Sequence, residues 1–116
     1  MKDIDKYRGC LIGGAVGDAL GYAVEFYDEA AIFNRYGKNG ITEYDLVNGV
    51  AEISDDTQMT LFTANGLLLG TTRGMTRGIM GTYPSYIAFC YKDWLRTQYE
   101  KYPLEEESPS RFPCCQ

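Results

Sequence analysis

Apolar residues recur at helical rather than strand spacing along most of this chain, and the first stretch sets the pattern. From Ile4 to about Val24, Leu11, Ala15 and Ala19 form one apolar row, with Ile12, Val16, Leu20 and Val24 beside it. Steps of three and four residues keep such positions on one side of an α-helix. Gly9, Gly13, Gly17 and Gly21 run through the same stretch at successive i+4 positions. Each glycine inside a helix costs about 1 kcal/mol relative to alanine. The compensating gain is close approach, by another helix or a ligand, to a surface without side chains. Membrane helices also favour this spacing, but here the uncharged part runs only from Gly9 to Gly17 before Asp18 and Glu25. A span needs about 20 apolar residues. A soluble, closely packed helix is expected.

Glu29 to Tyr36 reads as a short second helix. Asn39-Gly40 and Asn48-Gly49 are turn signals around Ile41 to Val47, which is either a short strand or an ordered loop. Ser54 is placed to cap a third helix, because its hydroxyl can accept from free N–H groups of the first turn. Leu61, Ala64 and Leu68 share a face of that helix, flanked by Phe62 and Leu69, and Gly70 reads as its end. Thr71 to Thr82 is expected to be a loop or a broken helical segment. Pro84 opens a last helix to about Tyr99, with Ile87, Tyr91, Trp94 and Leu95 as its apolar side. Pro103 stops it. The pattern predicts a mostly helical domain over 1–104 with no internal repeat and no domain boundary, followed by an irregular acidic and proline-bearing tail over 105–116.

Composition narrows the chemistry. A chain of 116 residues with 45% hydrophobic residues suits one small folded domain. The net charge of −5, with Lys and Arg scattered, excludes nucleic acid as a main partner, since phosphate binding needs a basic patch. The absence of histidine removes imidazole acid–base catalysis, His-dependent nucleophile systems and imidazole-built zinc sites. Cys10, Cys90, Cys114 and Cys115 form no CxxC pair. Met1 to Arg8 is polar and the following apolar run contains Asp18, so no secretory leader is expected. Reduced thiols in a cytoplasmic protein with no membrane association are the expectation.

Ser54, Asp55, Asp56 and Thr57 are the strongest candidate constellation. Mg²⁺, Mn²⁺ and Ca²⁺ take carboxylate, hydroxyl and carbonyl oxygens, and the helix dipole keeps first-turn carboxylates ionised. A plain helix cap with acids in its first turn accounts for the same four residues, and spacing alone favours it. Asp18 and Glu25 lie seven residues apart, on nearly the same side of the first helix. A charge in the apolar run around Asp18 needs a partner: a metal-site water, a backbone N–H or Arg8. No GxGxxG or GxxxxGK[ST] pattern occurs in the glycine run, which argues against nucleotide binding by those devices. The aromatic segment from Tyr83 to Tyr102 suits core and interface packing better than base stacking.

Taken together, GCLIGGAVGDALGYAVEF (Gly9 to Phe26), followed by ISDDTQMTLFTANGLL (Ile53 to Leu68), resembles the N-terminal part of the ADP-ribosylglycohydrolase family. The resemblance is firm from Tyr7 to about Gly70 and looser over Ser85 to Gln98. It implies an all-helical fold with a two-metal centre, Mg²⁺ or Mn²⁺, that removes ADP-ribose from modified proteins or small molecules by hydrolysis at the ribose anomeric carbon. On that reading Ser54, Asp55 and Asp56 are metal ligands, and Asp55, Asp56 and Glu25 carry the chemistry. Glu25 lies over the metal site, and Asp18 is an outer or structural acid. The family's second acidic motif, D-x-D-[ST], has no match after Asp56. The expectation is therefore an N-terminal half-site, inactive alone, with self-association or a complementing C-terminal half as a possible partner. The alternative is a non-catalytic structural or binding module derived from the same fold.

Overall fold

Local capping rules account for where most of the helices start and stop. In the computed structural model, which describes residues 3–79 and 81–101, α1 spans Ile4–Gly21 and passes into a single 3₁₀ turn at Tyr22–Val24. Asp3 caps α1 by accepting from the Asp5 N–H. Helix α2 spans Glu29–Tyr36, as expected, with the Asp28 carboxylate accepting from the Ala31 N–H at 2.7 Å. Gly37 ends it at φ +84°, a conformation favourable for residues without a Cβ. Helices α3, Asp55–Arg77, and α4, Tyr83–Tyr99, complete the set. The fold is all-α, in agreement with the periodicity. The tail beyond residue 101 lies outside the described residues. No described helix is long and apolar enough to cross a membrane.

The chain divides into two compact units, Met1–Gln58 and Met59–Gln116. In the first, the segment after α2 forms a loop rather than a strand. Val47 and Val50 exchange N–H···O bonds of 2.9 and 3.1 Å across Asn48-Gly49, both at positive φ. That is the two-residue turn Asn-Gly favours. Arg35 pins this loop to α2, donating to Asp45 at 2.7 Å and to the Tyr27 hydroxyl at 2.9 Å. The Tyr36 hydroxyl donates to the same Asp45 oxygen at 2.8 Å.

In the second unit α3 and α4 pack closely, and the glycines responsible are not those of α1. A Cβ at Gly66 would stand 2.7 Å from the Ile87 backbone, and one at Gly70 2.7 Å from the Tyr86 ring. Thr63 Oγ1 meets the Tyr91 hydroxyl at 2.7 Å one turn earlier on the same side. Tyr86 and Cys90 are buried against this seam. Gly70 therefore does not end the helix as its identity suggested: α3 continues to Arg77 because the bare backbone there receives the Tyr86 ring. The stop falls at Gly78, at φ +64°, whose N–H reaches the Gly74 carbonyl. In α1, by contrast, a Cβ at Gly9, Gly13, Gly14, Gly17 or Gly21 would meet nothing within 4 Å among the described residues.

This contrast makes opposite predictions for the same substitution. Gly66→Ala forces a methyl into the α4 backbone and is expected to lower stability by about 2 kcal/mol, as overpacking does. Gly13→Ala, in open space, is expected to raise it by roughly 0.5–1 kcal/mol through helix propensity. Urea denaturation of the two variants beside the parent chain measures both.

Candidate functional site

Asp18 stands near the end of α1, in the apolar run where an unpaired carboxylate would be costly. Its partners come from 36 and 39 residues along the chain. Asp18 Oδ1 accepts from Ser54 Oγ at 2.6 Å. Its Oδ2 accepts from the Ser54 N–H at 2.9 Å, from Thr57 Oγ1 at 2.5 Å and from the Thr57 N–H at 3.3 Å. Of the partners the sequence allowed, backbone N–H groups are the ones found. Arg8 instead pairs with Asp5 on the exposed face of α1.

These bonds complete the start of α3. The Ser54 hydroxyl accepts from the Asp56 N–H at 3.1 Å, as an N-cap should. The next free donor, the Thr57 N–H, is taken by Asp18, and the Gln58 N–H begins the helical ladder on the Ser54 carbonyl. A carboxylate from a distant helix thus serves as a second cap, and the helix dipole favours its charge there. Ser54 and Thr57 are both buried, each 6% exposed.

Burial pushes the Asp18 carboxyl upward, but the hydroxyls of Ser54 and Thr57 and then their N–H groups more than offset it, leaving the group below its ordinary range. Hydrogen bonds that favour the charged form have this effect.

With the capping done by Ser54 and Asp18, the Asp55 and Asp56 side chains are left exposed in the first turn. Hydrogen bonds among the described residues engage neither carboxylate. Such hard oxygens suit Mg²⁺ or Mn²⁺. Ser54 Oγ donates once and accepts once, so one lone pair of the hydroxyl is left for a cation. The donor set fits a divalent ion as a partial shell. No group of three or more Asp, Glu, His or Cys ligands is assembled among the described residues.

Glu25 follows the 3₁₀ turn, exposed, with its N–H on the Tyr22 carbonyl at 3.3 Å. No hydrogen bond joins its carboxylate to Asp55 or Asp56 among the described residues. A cleft of about 390 Å³ opens in the same unit, lined by Tyr22, Phe26, Tyr27, Arg35, Asp45 and Glu52 among others. None of Asp18, Glu25, Ser54, Asp55 and Asp56 lines it.

Two features escaped sequence reasoning. Thr57 belongs to the candidate constellation in the sequence, but nothing there indicates that its hydroxyl binds Asp18. The Arg35–Asp45 clasp joins a helix to a loop ten residues away, and nothing in the local pattern marks it.

Because the folded Asp18 carboxyl titrates below its unfolded value of 3.8, it contributes stability above about pH 4 that is lost as pH falls through the folded value. Asp18→Asn is expected to destabilise the chain at neutral pH by about 2 kcal/mol, the scale of hydrogen bonds to a charged group. Its loss of stability on acidification should also be shallower than that of the parent. Denaturant titrations from neutral to acid pH test both.

The sequence profile of the ADP-ribosylglycohydrolase family matches residues 1–113, a longer span than the two motif-bearing stretches. Neither a curated protein nor a solved structure matches the chain. A family match over almost the whole sequence, an all-helical fold and an acid pair presented at a helix N-terminus agree with one another: the chain belongs to the ADP-ribosylglycohydrolase family.

Proposed function

We propose that Asp55 and Asp56, with Ser54 Oγ, hold the Mg²⁺ or Mn²⁺ of a hydrolase that removes ADP-ribose from modified proteins or small molecules. The observation that carries this is the division of labour at the start of α3. Ser54 and Asp18 satisfy the helix end, so neither exposed aspartate is needed as a cap. When bound, a divalent ion supplies Lewis acidity and lowers the pKa of its water. The carboxylates of Asp55, Asp56 and Glu25 add negative charge, which favours the oxocarbenium-like state formed when a bond at an anomeric carbon breaks. Glu25 is proposed to contact substrate or water and move a proton. Asp18 touches no reacting atom and acts through Ser54.

The resemblance assigns the remaining ligands to a D-x-D-[ST] motif that has no match in this sequence after Asp56. The chain is therefore proposed to carry one half of the site and to turn over no substrate alone. Calorimetry with Mn²⁺ is expected to give weak binding that Asp55→Ala and Asp56→Ala each abolish. The purified chain is expected to release no ADP-ribose from ADP-ribosyl-arginine or -serine. Binding indifferent to the two substitutions would remove the metal assignment, and robust turnover would remove the half-site.

A second reading, a non-catalytic association module, draws on α1, where Ile12 is 63% and Val16 49% exposed beside the open glycines. It requires self-association. Sedimentation that finds a monomer at all concentrations eliminates it.

A further inference from the structure

The hydroxyl of Thr57 has no role in the metal-ligand set, yet it is buried and makes a short contact with the carboxylate that organises the site. Thr57 sits at the third position of α3, one residue beyond Asp56. Its own N–H and its Oγ1 both end on Asp18 Oδ2, at 3.3 and 2.5 Å. Ser54 divides its grip differently, with the N–H on Oδ2 and the hydroxyl on Oδ1. The carboxylate thus holds residues 54 and 57 together, and these bracket Asp55 and Asp56 on both sides. With both ends of a four-residue turn tied to one rigid acceptor, the two aspartates between them have a fixed backbone from which to project.

We infer that Thr57 is a positioning residue for the Asp55–Asp56 pair: its hydroxyl, through Asp18, sets the first turn of α3 in the geometry that presents both carboxylates together. The inference rests on the metal reading above only for its consequence, since the geometric claim concerns the turn itself. A helix cap alone does not call for this hydroxyl. Ser54 already serves the Asp56 N–H, and the Thr57 N–H reaches Asp18 without help from its side chain. What the hydroxyl adds is a second, side-chain tether at the far end of the turn. Groups that orient ligands without touching the metal typically change affinity by about 10–100-fold when removed.

Thr57→Val keeps the shape and the N–H and deletes only the hydroxyl, whereas Thr57→Ser restores it. The test combines Mn²⁺ calorimetry with hydrogen exchange of the Asp56, Thr57 and Gln58 amides, with circular dichroism to verify helix content. Thr57→Val is expected to weaken Mn²⁺ binding about ten-fold and to speed exchange of those amides, with Thr57→Ser close to the parent in both. If Thr57→Val binds Mn²⁺ like the parent while Asp55→Ala abolishes binding, the positioning role is overturned and the metal reading stands. If the parent binds no Mn²⁺, the metal reading falls, and exchange alone decides: faster exchange in Val than in Ser supports the tether, and equal exchange overturns it. Should Thr57→Val fail to fold, Thr57→Ala, which also deletes the hydroxyl and keeps the N–H, decides. Faster exchange of the three amides in Ala than in Ser supports the tether, and equal exchange overturns it.

Discussion

The first unit depends on one carboxylate. Asp18 is placed by α1 and gathers four donors from Ser54 and Thr57. In doing so it ties the end of one helix to the start of another across more than thirty residues. Burial alone would make such a charge unfavourable, and the donors reverse that balance. The same bonds free Asp55 and Asp56 from capping, so one interaction shapes both the stability of this unit and the availability of its acids. That coupling explains how an acid inside an apolar run is tolerated: Asp18 is only half-buried there, and the far segment supplies its hydrogen-bond donors.

The second unit is held by a different device. Close packing of α3 on α4 uses bare backbone at Gly66 and Gly70, into which Ile87 and the Tyr86 ring fit. Propensity disfavours glycine in a helix interior by about 1 kcal/mol, and at these two positions that loss is offset by contacts a side chain would exclude. The open glycines of α1 have no such contact among the described residues. Equal sequence signals in the two helices thus correspond to unequal packing.

Much of this was legible in advance. Periodicity located the helices, Ser54 acted as a cap, and Asn48-Gly49 made its turn, because each depends on groups within a few residues of one another. Asp18 could be recognised as an acid in want of partners, since the cost of a buried charge is a local property. Its partners could not be named, because Ser54 and Thr57 are brought to it only by folding. The misplaced end of α3 has the same origin. Gly70 is a stop signal by propensity, and the override comes from Tyr86, sixteen residues on, whose ring occupies the space that glycine leaves.

The sequence by itself determined the helical class, the boundaries set by local caps, the exclusion of imidazole chemistry and the motif pair that marks the family. Each follows from residue identity, spacing or composition, which act without reference to distant parts of the chain. Tertiary structure decided which glycines are packing surfaces, which donors satisfy Asp18, and that the Thr57 hydroxyl is one of them. Those outcomes depend on which distant groups meet, and hydrogen bonds and van der Waals contacts act only over a few ångströms.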